Sequence, residues 1–173
     1  MIAVLPEARM SAFQLAQLNV ATPLEALDSP RLADFVANLD RINALAEQSP
    51  GFAWRLVGDA VDAKGAYPLG REVIATMSVW DGLEALQAFA FRSGHADVMK
   101  RRREWFAKMT DAYVVLWWVP RGHRPDVNEA ADRLALLRAH GPTAKAFSFK
   151  DAFPAPDAEP ADQAGEIGDS CPA

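Results

Sequence analysis

The chain has very little cysteine. Cys171 is the only cysteine among 173 residues, so no intrachain disulfide can form and a zinc site built from several cysteines is excluded. No apolar run approaches the ~20 residues that a membrane-spanning helix requires. The first ten residues, MIAVLPEARM, lack the basic start and the apolar length of a secretory signal. We therefore expect a cytoplasmic protein from a reducing compartment, with no membrane partner.

The chain also lacks an excess of positive charge. It has 18 basic and 23 acidic residues, a net charge of -5. Five acidic residues and no basic residue lie from Ala155 onward, so residues 1–154 hold 18 of each sign. A neutral body offers no surface that neutralises phosphates, which predicts no nucleic-acid partner. The Pro- and acid-rich segment 154–173 cannot bury enough apolar surface to fold, and we expect it to be a disordered tail.

Common catalytic motifs are missing as well. The sequence contains no G-x-S-x-G nucleophile elbow, no G-x-G-x-x-G loop and no Walker loop. Its three histidines show neither H-x-H nor H-x-x-x-H spacing, so we expect no preformed metal site. Any chemistry must come from a less familiar arrangement.

The hydrophobic pattern predicts an α+β fold. Alternating or continuous apolar stretches predict strands, and a 3.6-residue apolar period predicts helices. The resulting order, β-α-β-β-α(α)-β-α-β, is the ferredoxin-like βαββαβ pattern with additions. We expect an antiparallel sheet with helices on one face, in a domain spanning 12–153 that follows an N-terminal extension, 1–11. The predicted strands cover about 13–20, 52–57, 71–80 and 113–119, with a short last strand at Phe147 and Phe149, and the predicted helices about 30–46, 82–91, 95–110 and 126–140.

Strand alternation and helix capping add detail to this prediction. One face of the second strand is expected to carry Phe52, Trp54 and Leu56, and one face of the third Val73, Ala75, Met77 and Val79. The spacings Asp81-x-x-Glu84 and Asp126-x-x-Glu129 are those of capping boxes, which predict the starts of two helices.

The second face of this sheet is predicted to carry large apolar side chains. They include Trp80, Trp54 or its neighbours, and Trp117 or Trp118. Such a face cannot stay in contact with water. A second copy of the chain is the simplest cover, which predicts a homodimer with two sheets packed face to face, a dimeric α+β barrel.

The predicted helix 95–110 holds the most informative residues. Four consecutive cations, 100–103, cover about three-quarters of its circumference, so they cannot all face solvent. Arg102 falls on the apolar stripe with Val98 and Phe106, and His95 lies one turn before Val98 on the same face. A buried arginine needs a carboxylate, a carbonyl or an anionic ligand. Either His95 and Arg102 line a pocket, or Arg102 extends its charged end to solvent or pairs with an internal Asp or Glu, and His95 caps a helix start.

Two further histidines lie outside this helix. His123 sits in a Pro- and Gly-containing loop between a buried strand and a helix, a place where functional sites are common and where a structural corner is equally reasonable. His140 is expected at a helix C-terminus, where a cation favours the helix dipole.

Several segments resemble the family of domain of unknown function 3291. They are QLAQLN at 14–19, NLDRIN at 38–43, SPGFAWRL at 49–56, MSVW at 77–80, the stretch from His95 through RRREWF at 101–106, LWWVPRGHRP at 116–125 and AHGPT at 139–143. The resemblance covers about 12–155. It implies the dimeric α+β barrel superfamily, which includes antibiotic-biosynthesis monooxygenases, cofactor-independent oxygenases, haem-degrading and peroxidase-like enzymes, and isomerases. It implies no particular activity and no catalytic residue set.

Together these observations predict an apolar cavity between sheet and helices that binds a small hydrophobic or aromatic molecule. Its polar contacts are expected to be His95, Arg102 and Asn19. Its walls are expected to be four tryptophans: Trp54, Trp80, Trp105 and Trp118. The first functional hypothesis is a cofactor-free, monooxygenase-like enzyme in which His95 takes a proton and Arg102 stabilises the anion. The second is a haem enzyme with His95 or His123 as axial ligand. The third is a non-catalytic ligand-binding or structural dimer.

Overall fold

The computed structural model describes residues 10–158. Most of the predicted N-terminal extension, and residues 159–173 of the predicted tail with Cys171, lie outside the described residues. Within the described part, no helix combines the length and apolarity needed to cross a membrane.

The described residues form four strands and five helices. All four main strands, the first two helices and the last helix agree with the sequence prediction to within three residues at each end. In chain order the elements are β1 (Phe13–Ala21), α1 (Ala33–Glu47), β2 (Phe52–Arg55), β3 (Ile74–Trp80), α2 (Leu83–Arg92), α3 (Gly94–Lys100), α4 (Arg102–Trp105), β4 (Val114–Pro120) and α5 (Val127–His140). The predicted last strand is reduced to one bridge, in which the backbone of Phe147 pairs with Leu116 of β4.

The strands form one antiparallel sheet in the order β2-β3-β1-β4. This confirms the predicted α+β class, and it is the strand order of the split βαβ pattern. Leu15 of β1 lies between Trp80 and Trp118, and Gln17 lies between Ser78 and Leu116. Because side chains alternate along a strand, this register fixes which residues share a face.

The helices cover both faces of the sheet, whereas the sequence predicted helices on one face. α5 places Ala130, Leu134 and Leu137 in one buried cluster with Ala16 and Leu18 of β1. We call this side the α5 face. The opposite side carries α1 and α2, where Leu86 packs with Leu15 and Trp80. The prediction was wrong because it placed all helices, including the last one, on the same face. α5 therefore covers part of the face that a second copy of the chain was predicted to cover.

The predicted helix 95–110 is broken in two. α3 ends at Lys100, α4 ends at Trp105, and Phe106 is extended with φ -125° and ψ 144°. The backbone around Phe106 pairs with the loop after β1: Leu24 N–H donates to the carbonyl of Trp105, and Ala107 N–H donates to the carbonyl of Thr22. These bonds replace helical ones and hold Trp105 in a buried cluster with Leu32.

Candidate functional site

A strip of polar side chains crosses the sheet on the side of α1 and α2. We call it the polar strip, and it consists of two residues of β1 and their two neighbours on β3: Gln17, Asn19, Ser78 and Thr76. Along the strands it lies between two apolar clusters, one around Leu15 and Trp80 and the other around Ala21 and Trp105. Thr76 is exposed and the other three members are half-buried, so solvent reaches this part of the sheet.

One buried atom of the polar strip has no hydrogen-bond partner among the described residues. Trp80 Nε1 donates to Ser78 Oγ over 2.9 Å, and Ser78 Oγ donates to Gln17 Oε1 over 3.0 Å. Asn19 Oδ1 is buried, and no described residue donates to it. An unsatisfied buried acceptor costs about 1–3 kcal/mol, so Asn19 Oδ1 is suited to accept from a partner other than the described residues.

His95 is held beside the same apolar cluster. Its backbone N–H donates to Ser93 Oγ, the N-cap of α3, over 3.2 Å. Its ring contacts Phe89 at 4.8 Å between centroids with a tilt of 35°, and Phe89 stacks on Trp80 at 5.0 Å. Its Nδ1 lies 3.2 Å from the carbonyl oxygen of Ala90. Because a carbonyl only accepts, Nδ1 carries the proton, and Nε2 of the neutral ring is left as a base.

Burial lowers the pKa of His95 below its ordinary value, although the hydrogen bond to Ala90 opposes this effect. In the unfolded chain the pKa returns to about 6.5. Between the two values the unfolded state holds more protons, so the free energy of unfolding decreases as pH falls from about 6.5 through the folded pKa.

We expect the His95→Gln variant to lose this pH dependence of stability. His140 is the exposed last residue of α5, and the His140→Gln variant should keep the dependence. Urea unfolding at several pH values checks this, and an NMR titration midpoint for His95 at or above about 6.5 would contradict it.

Arg102 does not join His95. It is half-buried, as its place on the apolar stripe predicted, but its guanidinium lies 3.9 Å from the ring centroid of Tyr113. The expected carboxylate or anion is replaced by a cation–π contact. Tyr113 pairs with Val20 at the far end of β1 from Leu15 and Trp80. The catalytic role of Arg102 stays a prediction, and its contacts favour a packing role.

The predicted tryptophan walls are distributed over three places. Trp80 and Trp118 share the cluster of α2, where Trp118 Nε1 donates to the carbonyl of Phe153. Trp105 lies in the cluster around Ala21, where its ring centroid is 5.7 Å from that of Phe35. Trp54 packs on the α5 face. The four rings therefore do not line one cavity.

A β-bulge explains the position of Trp54. Phe52 is opposite Trp80, but the register shifts before Trp54, which is opposite Val79. A bulge adds one residue to one strand, so the following side chain changes face. The expectation that Phe52, Trp54 and Leu56 share a face was wrong for Phe52, whereas Trp54 and Leu56 both pack on the α5 face.

His123 lies on the α5 face, in a second polar arrangement. Its Nε2 is 2.7 Å from Glu129 Oε2, and Trp117 Nε1 donates to Glu129 Oε1 over 2.8 Å. Asp126 caps α5, as its spacing to Glu129 predicted, by accepting from the Glu129 backbone N–H over 2.8 Å. The pairing of Glu129 with His123 was missed, although a carboxylate at N3 of a helix that follows a histidine loop is a readable signal.

A buried glutamine, Gln14, lies beside the loop of His123, and the sequence pattern did not predict its role. Gln14 Nε2 donates to Asp81 Oδ1 over 3.1 Å, and Gln14 Oε1 accepts from the Gly122 backbone N–H over 2.9 Å. Arg121 Nη1 donates to the same Asp81 oxygen over 2.8 Å and lowers the pKa of that carboxyl. Asp81 was predicted to cap α2, but no side chain caps this helix, and Gly82 takes that position. Asp81 instead fixes the loop that carries His123.

The two histidines proposed as haem ligands therefore lie on opposite faces of the sheet. His95 keeps Nε2 available for a ligand, whereas Nε2 of His123 is bonded to Glu129. Among residues 10–158, no group of three or more histidine, cysteine or acidic side chains is arranged to hold a metal ion.

The fold is an antiparallel α+β sheet with helices on both faces. Residues 14–163 match the model of the family described as domain of unknown function (DUF3291). The chain belongs to this family. The comparison with curated proteins found no significant match. Among solved structures, the crystal structure of the NE2512 protein of unknown function from Nitrosomonas europaea is similar at 15% identity, covering 66% of this chain and 94% of that chain, with a TM-score of 0.42.

Proposed function

We propose that this protein is a monooxygenase-like enzyme acting on a small hydrophobic or aromatic molecule that lies over the polar strip. The observation that carries the proposal is the unpartnered Asn19 Oδ1 between two aromatic clusters. Aromatic side chains around a few convergent polar groups are typical of small-molecule sites. α1 leaves its inward apolar side chains Phe35, Leu39 and Ile42 only half-buried, which leaves apolar surface for such a molecule.

His95 supplies the chemistry in this proposal. Its neutral ring takes a proton from an acidic C–H or O–H of the substrate through Nε2, while Nδ1 stays on the Ala90 carbonyl. The low pKa keeps the ring neutral and ready to accept a proton near pH 7. The electron-rich anion then reacts with dioxygen without a cofactor. The amides of Gln17 and Asn19 replace Arg102 as the polar groups nearest the substrate.

The test is protein-dependent dioxygen uptake with a panel of phenols and naphthols, measured with an oxygen electrode. We expect His95→Gln to lower the rate by ~100-fold or more, as for loss of a general base. Asn19→Leu should raise KM more than it lowers kcat, because the amide binds both ground state and transition state. His140→Gln is the control and should keep the wild-type rate.

Uptake that is equal in wild type and His95→Gln would contradict the proposal. Binding of the panel compounds without dioxygen uptake would favour the non-catalytic alternative. No binding at the polar strip, followed by NMR shifts of the Asn19 side-chain amide, would contradict both.

The haem alternative has one supporting observation. A carbonyl bonded to Nδ1 is the usual second contact of a histidine that ligates a metal through Nε2, and His95 has this contact. A Soret band that appears when haemin is added and is lost in His95→Ala would support it. His123→Ala is the matched control, because Nε2 of His123 is already bonded to Glu129.

The homodimer and the dimeric barrel also remain proposals. The uncovered apolar face that favoured a dimer is smaller than predicted, because α5 covers part of it. The remaining candidate is the side of edge strand β2, where Ala53 is exposed and Trp54 is half-buried. A mass of twice 18.9 kDa in light scattering would support the dimer, and a mass of 18.9 kDa would contradict it.

A further inference from the structure

The α5 face holds a histidine arranged in the manner of a catalytic or binding residue. Glu129 bonds His123 through one carboxylate oxygen and buried Trp117 through the other. The indole fixes the carboxylate, and the carboxylate fixes the imidazole ring. With Nε2 on Glu129, the other nitrogen, Nδ1, has no partner among the described residues. A side chain held this firmly is suited to present Nδ1 to a ligand.

A cavity of about 230 Å³ is lined in part by His123. We call it the His123 pocket, and its lining comes from β1, β2, β3 and the loop before α5: Gln14, Ala53, Trp54, Val79, Arg121, Gly122, His123 and Arg124. Ala53, Trp54 and Val79 give it an apolar part that includes one indole ring. The arginines and His123 give it a polar end. The β-bulge after Phe52 is what brings Trp54 to this pocket.

The charges around the pocket are paired with one exception. Arg121 is bonded to Asp81 at 2.8 Å, and His123 is bonded to Glu129 at 2.7 Å. Arg124 is exposed, and no described residue forms an ion pair or hydrogen bond with it. Among the described residues, the lining of the pocket therefore includes one unpaired cation, Arg124, together with His123, whose Nδ1 has no partner. An anion can use both groups, because a carboxylate accepts two hydrogen bonds.

We propose that the His123 pocket binds a small aromatic carboxylate, separately from the reaction proposed for the polar strip. The ring of the ligand stacks on Trp54, and its carboxylate accepts hydrogen bonds from Arg124 and from His123 Nδ1. Protonated His123 then lies between two carboxylates, that of Glu129 and that of the ligand.

Benzoate and its neutral analogue benzamide test the proposal in the intact protein. Titration is followed by the indole N–H signals of the five tryptophans in ¹H–¹⁵N NMR spectra. We expect benzoate to move the Trp54 signal and to leave those of Trp105 and Trp118 in place. Benzamide should bind at least about tenfold more weakly, because it cannot form the charge-assisted bonds.

The variants separate binding from damage to the fold. Arg124→Gln should weaken benzoate binding by about tenfold. Arg103→Gln, the same change at an exposed arginine of α4, should leave it unchanged. His123→Gln should weaken benzoate binding, because a neutral amide cannot form a charge-assisted hydrogen bond to the carboxylate. Trp54→Leu should weaken binding of benzoate and benzamide alike. Failure of benzoate to shift the Trp54 signal, or equal affinity for benzamide, would overturn the proposal. Neither outcome affects the dioxygen-uptake test, which uses the other face of the sheet.

Discussion

Gly51→Ala should destabilise the protein by about 3 kcal/mol, a large loss for a single methyl group. Gly51 has φ +80°, a conformation that L side chains rarely adopt. It is the third residue of a turn in which Phe52 N–H donates to the carbonyl of Ser49, and Pro50 precedes it, as in a type II turn. A Cβ on Gly51 would lie 2.6 Å from the Cβ of Ala85 in α2. Backbone strain and a steric clash with a helix therefore add.

Gly58→Ala is the matched control for this prediction. Gly58 has φ +90°, but no atom lies within 4 Å of the position its Cβ would take. Only the backbone strain of about 1 kcal/mol is expected there. Urea unfolding of both variants measures the difference directly. Equal destabilisation at the two positions would show that the contact between this turn and α2 does not restrain Gly51.

The pattern of strands and helices could be predicted because it is recorded in local periodicity. β1, β3, β4 and α5 carry enough alternating or 3.6-residue signal to fix their type. The assignment of Val73, Ala75, Met77 and Val79 to one face is confirmed, since all four belong to or pack against the same cluster. The face taken by α5 could not be read this way, because a periodic stripe shows that a helix is amphipathic and not where it packs.

The candidate site was harder to predict because it depends on register. One added residue in β2 transfers Trp54 to the other face, and the sequence around it gives no local sign of a bulge. His95 was correctly expected to be partly buried near aromatic rings, since the apolar stripe passes through it. The pairing of Arg102 with Tyr113 required knowledge of where α4 meets β4. Long-range pairings of this kind are set by tertiary packing.

Trp80→Ala should cost about 3–5 kcal/mol of the free energy of unfolding. Trp80 is fully buried and contacts Phe52 at 5.3 Å and Phe89 at 5.0 Å between ring centroids. Its loss leaves a cavity and removes the hydrogen bond to Ser78. Trp54→Ala, on the other face and half-buried, should cost less than half as much, because solvent already reaches that ring. Urea unfolding of the two variants measures both values.

The same substitution tests whether the aromatic stack controls His95. Phe89 lies between Trp80 and the His95 ring, so loss of Trp80 lets Phe89 move and water reach the imidazole. The pKa of His95, lowered by burial, should then rise toward its ordinary value, which NMR titration detects. Trp54→Ala should leave the His95 titration unchanged. Trp80→Phe serves if the alanine variant does not fold, and it should move the His95 pKa in the same direction by a smaller amount. A His95 pKa that is unchanged in both Trp80 variants would mean that its burial comes from α3 and α1 alone, and the polar strip would then lose the aromatic wall that prepares its base.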